Sequence, residues 1–389
     1  MSTGNKIVHI CLSGIVTEGF LYQDNLIAKY HRMMGNDVTF ITSSLCFNSK
    51  GQVESDGRSY YINKDDVHVY RLSLRWPQTK KPKLNRCNSV YETLCKEKPD
   101  IVFIHGPQFL DMPKVVKYIR ENRPKVYMDS HSDFSNSGRN WFSRIVVHGF
   151  LWRRMAKMVE PYCSRIYGVL PARVDFLHDI YGIDKEKLSL LVMGADDELV
   201  EKARNNDSRE SIRKRYGIRE KDILIVAGGK IDKFKWQTIT LMKVVNSIKR
   251  DDVKLLVFGS IDKELKSRVE RHVSEKVRYI GWLSPSDTYN YFEACDLAIF
   301  PGRHSVFWEQ VAGQGKPMIC KYWKGTTHID MNGNVRWLND DECVTLKDTL
   351  MAVLNIDGEL GKMRDAAAQS AYHFSYREIA KRAICERPF

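Results

Sequence analysis

The chain lacks any run approaching the roughly 18 uncharged apolar residues that a membrane-spanning helix needs. It also lacks a Cys-x-x-Cys pair, and its nine cysteines are odd in number and scattered. That pattern argues against a disulfide framework or a structural zinc site and for reduced thiols. The N-terminus lacks a charged-then-apolar leader, because Ile7-Val8-His9-Ile10 already reads as a first core strand. The expected location is therefore the cytoplasm. There is no Asp-x-Asp, no Gly-x4-Gly-Lys-Ser/Thr phosphate loop and no Gly-x-Gly-x-x-Gly. No internal repeat or low-complexity stretch appears, which removes solenoids from consideration.

What the sequence has is length, ordinary globular composition and positive charge. Its 389 residues suit two domains of about 150–200 residues each. Hydrophobic residues make up 43% and charged residues 28%, with a net charge of +13. Such a balance calls for anionic partners: nucleic acid, an anionic membrane surface or phosphorylated small molecules. Lys and Arg are spread over both halves with no nucleic-acid-binding motif, so nucleic acid is the weakest of the three. From Phe134 to Val159 there is no acid, and Arg139, Arg144, Arg153, Arg154 and Lys157 alternate with Trp141, Phe142, Phe150, Leu151 and Trp152. Basic residues interleaved with large aromatics suit an interfacial helix at lipid headgroups. The alternative is a surface helix whose aromatics pack inward.

Short β-branched runs separated by helical stretches are the rhythm of helix-covered parallel sheets. Ile7–Leu12, Asp37–Thr42, Val67–Leu72, Ile101–His105 and Lys125–Asp129 read as strands of a first sheet, with helices at Asp24–Met34, Ser89–Lys96 and Met112–Arg120. A second series comprises Ile223–Gly228, Lys254–Phe258, Val277–Ile280, Leu297–Phe300 and Pro317–Cys320. Its helices are Gln237–Ile248, Lys263–Val273, Pro285–Glu293 and Phe307–Gln314. The charge-dense stretch from Met193 to Arg219 reads as a linker. The fold class is α/β, and ligands of such sheets bind at the carboxyl ends of the strands. That places chemistry at His105, Asp129–Asp133, Gly228–Lys235, Phe258–Ser260 and Pro301–Glu309.

The sharpest motif is Val226-Ala227-Gly228-Gly229-Lys230-Ile231-Asp232-Lys233-Phe234-Lys235-Trp236. A buried strand ends in two glycines that let backbone approach a phosphate, and two lysines can neutralise its charge. The plain alternative is a solvated basic turn. Here the sequence resembles the retaining glycosyltransferases of family 4, of the GT-B type found in bacterial polysaccharide and lipopolysaccharide synthesis. The resemblance implies two doubly wound Rossmann-like domains facing across a cleft. It assigns residues 1–195, with a crossing helix at 372–389, to the acceptor side and 196–371 to the nucleotide-sugar side. It also implies that Gly229, Lys230 and Lys235 grip the donor pyrophosphate and that both lysines stabilise the leaving diphosphate. Trp236 stands where that family has glycine.

A second motif runs Phe300-Pro301-Gly302-Arg303-His304-Ser305-Val306-Phe307-Trp308-Glu309 and continues Gln-Val-Ala-Gly-Gln-Gly-Lys-Pro. It resembles the family's Glu-x7-Glu signature, with Glu309 matching the second glutamate, which binds the donor ribose hydroxyls. A carboxylate suits that task because it accepts from both hydroxyls at once. Eight positions earlier stands Pro301 rather than the first glutamate, so His304 or Ser305 becomes the candidate for contact with the transferred sugar, and Val306 is counted with the donor site. The helix start near Ser305–Phe307 would present amides to the phosphates.

A third motif is Tyr127-Met128-Asp129-Ser130-His131-Ser132-Asp133. His131 matches the family's histidine near the reaction centre, while a plainer reading makes Ser130 or Asp133 a helix cap. Gly14, in the loop after the first strand, and Gly281-Trp282-Leu283, in the loop that reads the base, complete the implied donor site. Met193-Gly194-Ala195-Asp196 and Phe374-Ser375-Tyr376 with Ile379-Ala380 add matches around the linker and the last helix.

Taken together, the resemblance implies a retaining hexosyltransferase that needs no cofactor and no metal, consistent with the missing Asp-x-Asp of the other main glycosyltransferase architecture. Its partners would be a nucleotide-sugar and a glycan or lipid-linked acceptor, with an anionic membrane surface as a peripheral contact and without nucleic acid. The alternatives are a nucleotide-sugar epimerase of the same fold, which would need general acid/base carboxylates, and a basic nucleic-acid-binding protein.

Overall fold

Central strands rich in Ile, Val and Leu are buried on both sides, because helices cover both faces of each sheet. The structure, a computed structural model, describes residues 4–48, 51–76, 84–134, 137, 141 and 143–385. Arg139 and Phe142 of the basic aromatic segment lie outside the described residues. The chain divides into two units, Met1–Val192 with Ile379–Phe389, and Met193–Glu378. Residues 372–378, expected with the first domain, therefore belong to the second unit.

In the first unit the strands lie in the order Leu188–Leu190, Cys163–Gly168, Lys125–Ser130, Ile101–His105, Lys6–Cys11, Asp37–Ser43, His68–Leu72 and Tyr60–Ile62. All neighbours are parallel except the edge strand Tyr60–Ile62. Strand order reverses between Lys6–Cys11 and Ile101–His105, so their carboxyl ends frame a switch-point crevice. Val8, Ile10, Val102, Ile104, Val126 and Met128 line one face and pack against Trp152, Phe176 and Tyr181.

In the second unit the order is Val277–Tyr279, Val253–Phe258, Ile223–Gly228, Leu297–Phe300, Met318–Lys321 and Val335–Leu338, all parallel. Its reversal falls between Ile223–Gly228 and Leu297–Phe300, where the Gly-Gly and Pro-Gly turns begin. The strands Cys163–Gly168, Leu188–Leu190 and Val335–Leu338 were not expected from the sequence.

Two expectations are corrected. The stretch read as a linker forms helices Asp197–Asn205 and Ser208–Arg215. Asp196 caps the first through Glu198 N at 3.1 Å. Buried Arg213 reaches Asp296 Oδ2 at 3.0 Å and also donates to the carbonyl oxygens of Arg219 and Glu220. Such buried charge satisfied by charge and carbonyls looks, in sequence, like solvated polarity.

The second correction concerns the basic aromatic segment. Ser143–Trp152 is a π-helix running into the α-helix Arg153–Val159. Trp152, expected at a membrane interface, is fully buried in the core with Met155, Ala156 and Val159. Trp141, at 71% exposure, and Phe150, at 69%, stand out in solvent with Ile145.

Candidate functional site

At the switch point of the second unit the backbone is drawn very close. A Cβ on Gly228 would fall 2.1 Å from the Phe258 ring, and one on Gly259 would fall 1.9 Å from Gly229 O. Gly229 N–H donates to Phe258 O at 3.1 Å, and Gly259 N–H donates to Gly281 O at 2.8 Å. Three successive strand ends are thereby laced together, which brings Gly281 into the same turn cluster as Gly229. Beside it Trp282 is exposed and Leu283 is half-buried.

The two lysines differ in state. Lys230 is exposed and ion-paired with Asp262 Oδ1 at 3.0 Å and Asp232 Oδ2 at 3.6 Å. The hydrogen bond and charge of Asp262 raise its pKa. Lys235 is half-buried and forms no ion pair among the described residues. Burial pushes its ammonium pKa down, only partly offset by Asp232, and the positive charge of Arg303 pushes the same way. Across from it Gly302 leaves room: a Cβ there would lie 3.4 Å from Lys235 Cα. The Arg303 guanidinium lies over the Phe234 ring at 4.7 Å, a cation–π contact that holds it beside Lys235. Sequence reading passed over Arg303; its position in the turn directly after Pro301-Gly302 was the available signal.

Glu309, on helix Phe307–Gly313, is fully buried. Its Oε1 accepts from His304 Nε2 at 2.8 Å and His328 Nε2 at 2.9 Å. Burial alone would raise its pKa, but His304 and then His328 outweigh it and hold the carboxyl well below the usual carboxylate range. Oε2 has no hydrogen-bond partner among the described residues. Two imidazoles thus use one carboxylate oxygen, and one acceptor is left over. The His304 ring meets Trp308 edge-on at 5.0 Å. Ser305 O accepts Trp308 N–H at 2.9 Å, and Val306 is exposed. Sequence reading missed His328, which comes from the separate turn Thr327–Ile329 and carries no motif.

In the first unit, a cavity of about 230 Å³ opens at the other switch point, lined by Gly14, Asp24, His105, Gln108, His131 and His148 among others. A Cβ on Gly14 would meet nothing within 4 Å, so the loop is open there. His131 Nε2 lies 3.8 Å from Asp129 Oδ2. Among the described residues Ser130 Oγ accepts from Ser132 N–H at 3.4 Å, and Asp133 accepts from Arg173 Nε at 3.1 Å. Among the described residues, no three His, Cys, Asp or Glu side chains gather as a metal site.

Residues 208–312, which hold both lysines, Arg303, His304 and Glu309, match the family described as Glycosyl transferases group 1. A glycosyltransferase from Rickettsia africae ESF-5 is similar in structure, with a TM-score of 0.68 and 16% identity over 98% of this chain and 97% of its own. The fold is GT-B. A second GT-B relative is Anabaena Alr3699/HepE in complex with UDP, at TM-score 0.68 and 12% identity over 97% of this chain and 98% of that one. UDP-GlcNAc 2-epimerase from Neisseria meningitidis, bound to UDP-GlcNAc, shares the likeness at TM-score 0.65 and 11% identity, covering 98% and 100%. No curated protein matches the sequence. At these identities the comparison establishes the GT-B architecture of two Rossmann-like units.

Proposed function

We propose that this chain is a glycosyltransferase that moves a sugar from a nucleotide-sugar donor to a glycan or lipid-linked acceptor, with retention and without a metal ion. The observation that carries the reading is Lys235, half-buried and without an ion pair among the described residues, beside Arg303 at the carboxyl ends of the central strands of the family-matched unit. Two fixed cations beside glycine turns suit a diphosphate whose charge grows as the glycosidic bond breaks. They would supply the stabilisation that a divalent ion supplies in other architectures. The resemblance to retaining family-4 enzymes supports retention and a hexose donor. HepE, a structural relative, is described with UDP, which makes uridine the first base to try.

Calorimetry across UDP-, GDP-, ADP- and dTDP-sugars tests the donor. Full activity in excess EDTA and a product of unchanged anomeric configuration are expected. An absolute need for Mn²⁺ or Mg²⁺, or an inverted product, overturns the assignment. A nucleotide-sugar epimerase has the same fold and is separated by incubating donor alone, since only an epimerase then yields a new nucleotide-sugar.

A lipid-linked acceptor is supported by the exposed Trp141, Ile145 and Phe150 beside the exposed basic residues Arg144, Arg153 and Arg154. Each cation near an anionic surface contributes about 1 kcal/mol, so several must act together. Wild type should co-sediment with anionic but not neutral liposomes, and changing all three arginines to glutamate should abolish this. If wild type ignores anionic vesicles at physiological salt, a soluble acceptor replaces the lipid-linked one.

A further inference from the structure

One face of the first unit's sheet carries a line of histidines that the proposed chemistry does not use. Strand alternation and register put His9, Phe103, His105 and Asp129 on the same face. Helix Gln23–Met33 brings His31 down onto them, and helix Tyr376–Ala383 brings the Ala380 carbonyl. All three imidazoles and Asp129 are buried. They form one continuous chain. His31 Nε2 lies 2.8 Å from Ala380 O, and His31 Nδ1 lies 3.0 Å from His9 Nε2. His9 Nδ1 lies 2.9 Å from His105 Nε2, and His105 Nδ1 lies 3.0 Å from Asp129 Oδ2.

The protons in this chain can be counted. Each of the four contacts requires one N–H. A carbonyl and a carboxylate close the two ends, and both only accept. Three neutral imidazoles carry one N–H each, which leaves one contact short of a proton. Water cannot make up the difference at buried ring nitrogens that already face one another.

We propose that His31, His9 and His105 together hold one extra proton as a permanent buried cation against the Asp129 carboxylate, and that this ion pair positions His131. Electrostatics place the charge at the Asp129 end. Burial pushes His9 well below the ordinary histidine value and His31 down to about 4. Burial also opposes the charge on His105, but Asp129 outweighs it and raises the pKa. Asp129 is held well below the usual carboxylate range, because His105 first and His131 second overcome its burial. The other titratable groups facing the pair are Asp24, from helix Gln23–Met33, which also favours the cation, and Cys11, whose Sγ contacts Asp24 Oδ2 at 3.4 Å.

The chain has a direction. The Ala380 carbonyl obliges His31 to donate from Nε2, which leaves its Nδ1 to accept from His9, and His9 in turn to accept from His105. One backbone carbonyl of the C-terminal helix thereby compels His105 to donate from both nitrogens. Asp129 stays ionised, and its Oδ2 faces His131 Nε2 at 3.8 Å, at the edge of the cavity that Gly14 lines. His105 is thus a positioning residue, and His9 and His31 act through it. The consequence for sugar transfer rests on the reading of His131 given above; the proton count does not.

Nitrogen-resolved imidazole spectra of the full chain, recorded without substrate, test the proposal independently of any activity. His105 should show both nitrogens protonated over about pH 6–8, with His9 and His31 as single neutral tautomers. Three neutral rings at pH 7 overturn it. His31→Gln keeps a donor toward Ala380 and an acceptor toward His9, so His105 should stay charged as in wild type. His31→Leu leaves two contacts for two rings, so His105 should lose its enforced proton and titrate within that window. Equal behaviour of the glutamine and leucine variants also overturns the proposal. If neither variant folds, the wild-type spectrum alone decides.

Discussion

Lys235→Ala should lower kcat by about 10²–10³ while the fold survives, the scale of losing one preorganised electrostatic contact in a water-poor site. The charge on the departing diphosphate is greater in the transition state than in the bound donor, so the loss should fall on kcat rather than on KM. Lys235 is suited to this because no carboxylate among the described residues has already claimed its charge, and burial keeps its field strong. Lys230 is different: Asp262 and Asp232 already hold it, so a donor phosphate would have to compete for it. Lys230→Ala should therefore cost less than Lys235→Ala. Because a half-buried, unpaired ammonium destabilises the folded state, the Lys235→Ala protein should melt at the same temperature as wild type or higher. Steady-state kinetics and thermal melts check both statements. Near-normal turnover of Lys235→Ala would place the pyrophosphate elsewhere.

Glu309→Gln should weaken binding of the free nucleoside diphosphate by about 10–100-fold, corresponding to about 1.5–3 kcal/mol for hydrogen bonds to a charged acceptor. The carboxylate has one oxygen committed to His304 and His328 and one left without a partner. An amide replaces an acceptor with a donor there, which a pair of ribose hydroxyls cannot satisfy equally well. Glu309→Ala should act on stability as well, because it leaves two imidazole N–H groups without their acceptor, at about 1–3 kcal/mol each. His304→Ala and Ser305→Ala should instead change discrimination between donor sugars, since they stand nearest the position of the missing first glutamate in the loop ahead of the helix. Calorimetry with the nucleoside diphosphate alone separates the two roles. Unchanged affinity in Glu309→Gln would make Glu309 an internal anchor for two histidines rather than a ribose ligand.

Hydrophobic rhythm made most of both sheets legible, because strands buried on both faces must be continuously apolar. The Gly-Gly turn and the loop into Glu309 were legible for a related reason: close backbone approach permits only glycine, and strand ends in such sheets gather polar groups. Residues 197–215 were misread because their few buried apolar positions, Val200, Ala203 and Ile212, are outnumbered by exposed charges, among which the buried Arg213 looks no different in sequence. Trp152 was misread because alternation of basic and aromatic residues says nothing about which side of a π-helix meets the core.

The sequence by itself determined the alternation of strand and helix, the positive charge, and which residue types stand at the strand ends. Those properties are local: they depend on a residue and its near neighbours along the chain. The tertiary structure alone decided the ionic state of those residues. Lys230 and Lys235 look alike in sequence and differ because Asp262 reaches only one of them. Glu309 is clamped by a histidine from a separate turn, and His9, His31 and His105 are joined across strands and helices distant in sequence. Ion pairing, desolvation and proton count depend on what folding brings within about 3 Å, and no pattern along the chain encodes that distance.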